Sequence, residues 1–309
     1  MKVCILGSIN MDEVVGCHEM PKVGETILAD TFKKVPGGKG ANQAVAAKRM
    51  GCDVYMIGKI GKDSNGEVLL NALKKDNINT EFVFKDENRS TGVAVIFVDS
   101  HGSNSIAVVA GSNMGITHDD LSKAKVAIKD SKMLISQFET PIEITIEAFK
   151  YAKSVGVTTL LNPAPAREIP DELLEYTDIL VPNESEAESL TGIKVIDVET
   201  AKNAANKFLN KGAKYVIITL GDKGAAIVTN DCLIQVPAKK VDAVDTTAAG
   251  DSFIGGLSRI ISCEESLNMD MLTKAVRFAN KVSAIVVTRE GAQTSIPSFN
   301  EVINTYGEE

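Results

Sequence analysis

The chain is poor in histidine, with only His18, His101 and His118 among its 309 residues. Schemes that need histidine clusters, as metal ligands or as acid–base pairs, have little to draw on. His118 reads as a surface residue in a first helical turn. The five cysteines, Cys4, Cys17, Cys52, Cys232 and Cys263, form no C-x-x-C pair. An odd, unpaired set argues for reduced thiols in a cytoplasmic protein and gives no sign of zinc. No apolar run approaches the ~20 residues that span a bilayer. The opening "KVCILGSIN" reads as a strand, without the length and flanks of a signal peptide. Positive charge is in deficit. A net charge of −8 and a pI near 5.1 argue against a general nucleic-acid or membrane-surface binder.

Two familiar phosphate-binding loops are missing as well. A P-loop fails because Lys33 stands where its first glycine belongs and Gly40 where its metal-binding hydroxyl would be. The first strand ends in "GSINMD", and no G-x-G-x-x-G opens a helix. Repeats, low-complexity tracts and linkers are also lacking.

What the chain does contain is regular. Hydrophobic and charged shares of 44% and 24% are those of a soluble globular protein, and the length suffices for one large α/β domain or two modest ones. Short apolar runs, "VCILG", "VYMIGKIG", "KMLISQ", "TTLLN", "DILVP" and "YVIITLG", read as strands buried on both faces. Helical segments fall between them over 40–50, 63–76, 117–129, 141–154 and 197–211. Thr117, with Asp119 and Asp120 behind it, makes a helix start, and Gly51, Gly156 and Gly212 stand where left-handed stops belong. This alternation predicts a mostly parallel sheet covered on both sides. Two segments break the rhythm: residues 11–36, with no helical period, and 91–110, a hairpin about Asp99–Ser103. Both are expected to form a β lid over a single domain spanning 1–309.

Open α/β sheets bind ligands beyond the carboxyl ends of their strands. There the chain reads "GSINMD", "SQFE", "LNPAP", "VPNESE" and "TLGDKG", a polar rim. Two stretches stand out. "VPGGKGANQAVAAKRMG" sets a turn at Gly37, Gly38, Lys39 and Gly40 before a small-residue helix; alone, it is a turn opening a close-packed helix. "VDTTAAGDSFIGG" places Asp245 and Asp251 six apart, separated by residues of little bulk. A tight turn into a helix start leaves N–H groups unpaired and attracts anions, phosphate above all. By itself Asp251 is either a helix-capping acid or a catalyst. Asn10 and Asp12 point to one side if extended, or form an Asx turn.

Taken together, "GSINMD", "PGGKGANQA", "PNESEAE", "TLGDKGA", "DTTAAGDSF" and "REGAQTS" resemble, in order, the signatures of the ribokinase (PfkB-type) family of sugar and nucleoside kinases. The resemblance covers essentially the whole chain. It implies a three-layer α/β/α fold with a mostly parallel central sheet and a small antiparallel β lid. The implied activity is ATP-dependent phosphorylation of D-ribose at O5, with Mg2+ and K+ as cofactors. Within the family the alternative is another sugar or a nucleoside, such as 2-deoxyribose or fructose; outside it, a non-catalytic sugar or nucleotide sensor.

By the same resemblance Asp251 is the catalytic base, and the amides of Ala248, Ala249, Gly250 and Asp251 form an anion hole for the γ-phosphate. The family's common form has glycine where Ala248 stands, a departure of little consequence unless positive φ is required there. Asn10, Asp12, Gly38, Lys39, Gly40, Asn42 and Glu139 match the sugar side, with Ala94, Ile96 and Ile106 of the lid as apolar cover. Asn183, Glu186, Thr219, Gly221, Gly224 and Asn280 match the nucleotide side, Glu186 acting through waters on Mg2+. Asp245, Thr247, Val286, Arg289, Gly291 and Ser295 match a K+ site, most of them through backbone oxygens. Read without the resemblance, Asp245 is a cap or turn acid. Exposed lid strands need cover, so a homodimer joined through the lid is expected.

Overall fold

A computed structural model describes residues 1–264 and 266–307 of the chain. Strands β1 (Lys2–Leu6), β2 (Asn10–Gly16) and β3 (Thr31–Gly37) precede helix α1 (Lys39–Arg49). Next come β4 (Asp53–Gly61), α2 (Ser64–Lys75) and β5 (Val83–Asp86), then the hairpin of β6 (Gly92–Val98) and β7 (Asn104–Val109). Alternation resumes with α3 (His118–Lys129), β8 (Met133–Ser136), α4 (Ile142–Ser154) and β9 (Thr158–Leu161). The short α5 (Asp171–Glu175) and β10 (Ile179–Leu180) lead to α6 (Glu184–Thr191) and α7 (Val198–Leu209). Strands β11 (Tyr215–Thr219), β12 (Ala225–Val228) and β13 (Leu233–Val236) follow. The chain closes with α8 (Ala249–Ile261), α9 (Met269–Val286) and α10 (Phe299–Tyr306).

Among the described residues nine strands form the main sheet, in the order β13-β12-β11-β10-β9-β8-β1-β4-β5. It is parallel from β11 to β5 and antiparallel only at the β11-β12-β13 edge. The chain builds from β1 toward β5 and then restarts at β8 on the other side. That reversal opens a crevice at the carboxyl end of β1. Val3 and Ile5 of β1 enter the core shared with α1, α8 and α9, while Cys4 and Leu6 enter the core beneath α3, α4 and α7. Alternate side chains point to opposite faces, so a strand covered on both must be apolar throughout.

The predicted helices lie within two residues of α1, α2, α3, α4 and α7. Thr117 and Asp120 cap α3 reciprocally, and Gly51, Gly156 and Gly212 take positive φ after their helices. A second sheet runs β3-β2-β6-β7. Its outer pairs, β2 with β3 and β6 with β7, are antiparallel, and a parallel β2–β6 seam joins them. Of the residues expected as apolar cover, Ala94 is buried and Ile96 partly so, but Ile106 is 56% exposed and faces solvent in the single chain.

Helix α8 is wedged between α1 and α9. A Cβ on Gly255 would lie 2.7 Å from the Ala46 carbonyl carbon, and one on Gly256 would lie 2.7 Å from Ala279 Cα. The glycines of "SFIGG" are therefore a packing device, and they bring the start of α8 against the start of α1.

Candidate active site

Helix α8 begins without a side-chain cap. Ala248 holds the N-cap position in the left-handed conformation, φ 60° and ψ 11°. The expectation that alanine is inconsequential here is corrected: positive φ is required, and an L-residue bears roughly 1–2 kcal/mol for it. The turn leaves the N–H groups of Ala248, Gly250 and Asp251 without a protein acceptor among the described residues. All three residues line a cavity of about 190 Å³. The fourth expected donor differs: the Ala249 N–H turns back onto the Thr246 carbonyl at 3.1 Å.

Asp251 lies in the first turn of α8 and is 9% exposed, on the cavity wall. It caps nothing. Its Oδ2 accepts from Asn42 Nδ2 at 3.1 Å and its Oδ1 from Gln43 Nε2 at 3.0 Å, both from α1. Burial raises its pKa, and Lys39, Gln43 and Asn42 oppose that rise. Burial, which favours the neutral acid, is thus set against two neutral amides and one ammonium that favour the carboxylate, the surroundings of a group able to accept a proton during a reaction.

Lys39 opens α1, set by the positive-φ turn at Gly38, φ 90°. Gly40 must be glycine, because a Cβ there would come within 2.6 Å of Ser8 N. Burial works against the Lys39 charge, but Asp251, then Glu139, Glu186 and Asp12, raise its pKa above the ordinary lysine value. Four carboxylates thus converge on one ammonium. Asp12 of β2 is pushed up to about 7, first by burial and then by Glu139 and Asp251, with Lys39 offsetting part. Glu139 accepts from Ser8 Oγ. Asn10 is buried, and its Oδ1 accepts from Asn113 Nδ2 at 2.6 Å. The expected sugar-side residues therefore gather at the start of α1 and beside β2.

Of the nucleotide-side residues, Asn183, Glu186 and Thr219 line the cavity, while Gly221, Gly224 and Asn280 lie outside its lining. Asn183 and Glu186 form a reciprocal capping box at the start of α6, with Asn183 N donating to Glu186 Oε2 at 2.9 Å and Glu186 N to Asn183 Oδ1 at 2.7 Å. One carboxylate oxygen of Glu186 is thereby committed, and burial raises its pKa. Thr219 shares the cavity, while Gly221 and Gly224 shape the β11–β12 turn. Asn280 donates to the Val236 and Pro237 carbonyls at 3.2 and 3.0 Å, which ties α9 to the end of β13.

The K+-site candidates meet where the loop before α8 touches the loop after α9. Asp245 Oδ1 accepts from Thr247 N at 2.8 Å and Thr247 Oγ1 at 2.6 Å, and its Oδ2 accepts from Gly291 N at 2.8 Å. These donors hold its carboxyl below the usual range although burial works the other way. The Val286 carbonyl accepts from Arg289 N, and the Ser295 carbonyl from an Arg289 guanidinium nitrogen at 3.5 Å. One carboxylate beside neutral carbonyl oxygens is a hard, all-oxygen donor chemistry, and here N–H and O–H donors already engage those oxygens. No cluster of three or more His, Cys, Asp or Glu suited to a metal occurs among the described residues.

Several polar residues at the site carry no sequence expectation: Ser8, Gln43, Asn113, Gln137, Asn162 and Gln293. Gln43 and Gln137 were visible only as letters inside "GANQA" and "SQFE", with nothing local to tie them to Asp251. A larger groove of about 410 Å³ lies by α5, α6 and α7, lined by Arg167, Leu174, Leu190 and Phe208 among others. Lys211, also at its edge, already pairs with Asp171 at 2.9 Å.

Residues 1–298 match the pfkB family of carbohydrate kinases. The chain is 45% identical to a ribokinase from Staphylococcus aureus (strain COL), over 97% of this chain and 98% of that one. It is 39% identical to a deoxyribokinase from Salmonella typhi, over 98% and 99%. The solved structure of Arabidopsis thaliana ribokinase complexed with ribose and ATP superimposes with a TM-score of 0.88 at 33% identity, covering 98% of this chain and 97% of that one.

Proposed function

The chain belongs to the pfkB family of carbohydrate kinases, and from that premise we propose that it transfers the γ-phosphoryl group of ATP to O5 of D-ribose, giving ribose 5-phosphate and ADP. The observation that carries the reading is Asp251: a buried carboxylate on the wall of a cavity also lined by unpaired helix-start amides. Relatives named ribokinase over nearly full length support the choice of sugar.

In this reading the sugar sits among Asn10, Asp12, Gly38, Lys39, Gly40, Asn42 and Glu139, whose carboxylates and amides suit vicinal hydroxyls that donate and accept at once. The triphosphate lies between the α8 start and Glu186, with Asn183, Thr219, Gly221, Gly224 and Asn280 toward the nucleoside. Asp251 orients the O5 hydroxyl and takes its proton as the O5–P bond forms and the bond to the β-phosphate oxygen breaks. Phosphoryl transfer is largely dissociative, so no alkoxide is needed beforehand. The free N–H groups of Ala248, Gly250 and Asp251 face the charge that develops on the transferring group, each worth about 2.7–4 kcal/mol by analogy with other oxyanion donors. The Ala249 N–H joins them if the phosphate draws it from Thr246.

Bound Mg2+ would neutralise phosphate charge, with Glu186 reaching it through water. Asp245, Thr247, Val286, Arg289, Gly291 and Ser295 would hold K+ and stiffen the turn into α8. Ile106 and Val108, two apart on one face of the edge strand β7 and 56% and 50% exposed, support a homodimer joined there. Five free cysteines fit a cytoplasmic enzyme.

A second reading, 2-deoxyribose, is favoured by the deoxyribokinase relative. A panel of sugars in a coupled ADP-release assay, with and without potassium, separates the two. Ribose should be turned over fastest, and comparable turnover of 2-deoxyribose would remove the ribose assignment.

A further inference from the structure

We infer that Gln43 and Gln137 form a positioning relay that pins the Asp251 carboxylate toward the acceptor hydroxyl, an assignment that rests on the kinase reading above. Gln43 is fully buried and lies outside the cavity lining, so it acts through its neighbour. Its Nε2 donates to Asp251 Oδ1 at 3.0 Å and to Asn162 Oδ1 at 3.2 Å, which uses both amide hydrogens. Its Oε1 accepts from Gln137 Nε2 at 2.6 Å. Turning the Gln43 amide over would set its oxygen against two other oxygens, so the chain of donors runs one way: Gln137 to Gln43 to Asp251.

Gln137 supplies a second observation. It too is fully buried, and its Oε1 has no partner. An orphaned buried carbonyl is a cost that an apolar side chain would not carry. The fold retains it where the other end of the same amide fixes Gln43. The second oxygen of Asp251 is served in parallel: Gln293 Nε2 donates to Asn42 Oδ1 at 3.1 Å, and Asn42 Nδ2 to Asp251 Oδ2 at 3.1 Å. Both carboxylate oxygens are thus held from the α1 side, each with a lone pair left for the cavity.

The electrostatic surroundings make the relay consequential. Lys39 of α1 faces Asp251, as do the acids Asp12 of β2 and Glu186 of α6, with Glu139 beyond β8 also drawn to Lys39. Neutral donors stabilise the anion without adding charge. Losing one favours the protonated acid.

Gln43→Met keeps the side-chain volume and removes the donors. In the full-length enzyme kcat should fall about ten- to a hundredfold, as when a hydrogen bond to a charged group is lost. KM for ATP should stay unchanged, and the acid limb of the kcat–pH profile should move to higher pH. Gln137→Met should give a smaller loss in the same direction, and the double variant should be no worse than Gln43→Met alone. A folded Gln43→Met enzyme with wild-type kcat and an unmoved acid limb overturns the relay. If Gln43→Met does not fold, wild-type kcat and pH profile in Gln137→Met overturn it equally. Failure of the kinase reading is read separately, from an unmodified chain that phosphorylates no sugar.

Discussion

Asp245 and Asp251 stand on one turn, yet their surroundings differ in kind. Asp245 is partly exposed and takes two backbone N–H groups and a hydroxyl, which hold its carboxyl below the ordinary range. Asp251 is buried, takes only side-chain amides, and is pushed upward by burial against Lys39 and its two donors. Backbone dipoles fixed by a closed turn make a lasting anion, suited to a cation or to structure. Burial beside other carboxylates makes an anion that can accept a proton. The donors set the role, since the side chain is the same.

The largest test of that contrast is Asp251→Asn. Turnover should fall about 10²–10⁴-fold, the range for a lost general base, while ATP binding by calorimetry persists. Undiminished turnover would remove Asp251 from the chemistry. Asp12→Asn comes next, raising the sugar KM about ten- to a hundredfold at pH above 7, where the Asp12 carboxylate is ionised and the variant removes a charged hydrogen-bond partner. Its effect on stability should have the opposite sign. Folded Asp12 keeps its proton to about pH 7, whereas an unfolded aspartate loses it near ~3.9. The folded state therefore binds more protons across that window, and ionising Asp12 lowers stability as pH rises through it. The variant should match the wild type near the bottom of the window and exceed it at pH above 7, as read from denaturant melts of the ligand-free protein.

Asp245→Asn should cost about 1–3 kcal/mol at neutral pH, because an amide cannot accept from both Thr247 and Gly291 without facing N–H to N–H. Here the pKa is lowered, so the stabilisation is present above the unfolded value and is lost as pH falls through the folded one. Melts of variant and wild type should converge in acid. If the loop also holds K+, replacing potassium by a bulky organic cation should slow the wild type and leave the variant unaffected. The smallest effect belongs to Ala248→Gly. Relief of the left-handed strain and the added chain entropy nearly cancel, so stability should change by less than about 1 kcal/mol. A larger loss would show that the alanine methyl packs usefully.

Helix starts at Thr117, stops at Gly51, Gly156 and Gly212, and the hairpin about Asp99–Ser103 were legible because each rests on contacts within a few residues. The Asn183–Glu186 pair was legible as a motif, but its reciprocal capping geometry was not. Ala248 looked harmless until its φ was known. Gln43 bonds a residue 208 positions away, and Gln293 bonds one 251 away. No local pattern marks such pairs.

From its letters alone this chain determined most strands of the parallel sheet and five of the helices, where many of them end, and which polar residues crowd the carboxyl edge of the sheet. Those outcomes follow from periodic burial and from short-range backbone bonding, both written locally. Tertiary structure alone decided what Asp251, Asp12 and Asp245 can do. Proton affinity depends on the summed field and hydrogen bonds of groups brought together from β2, α1, α6 and α8, and only the packed fold supplies that sum.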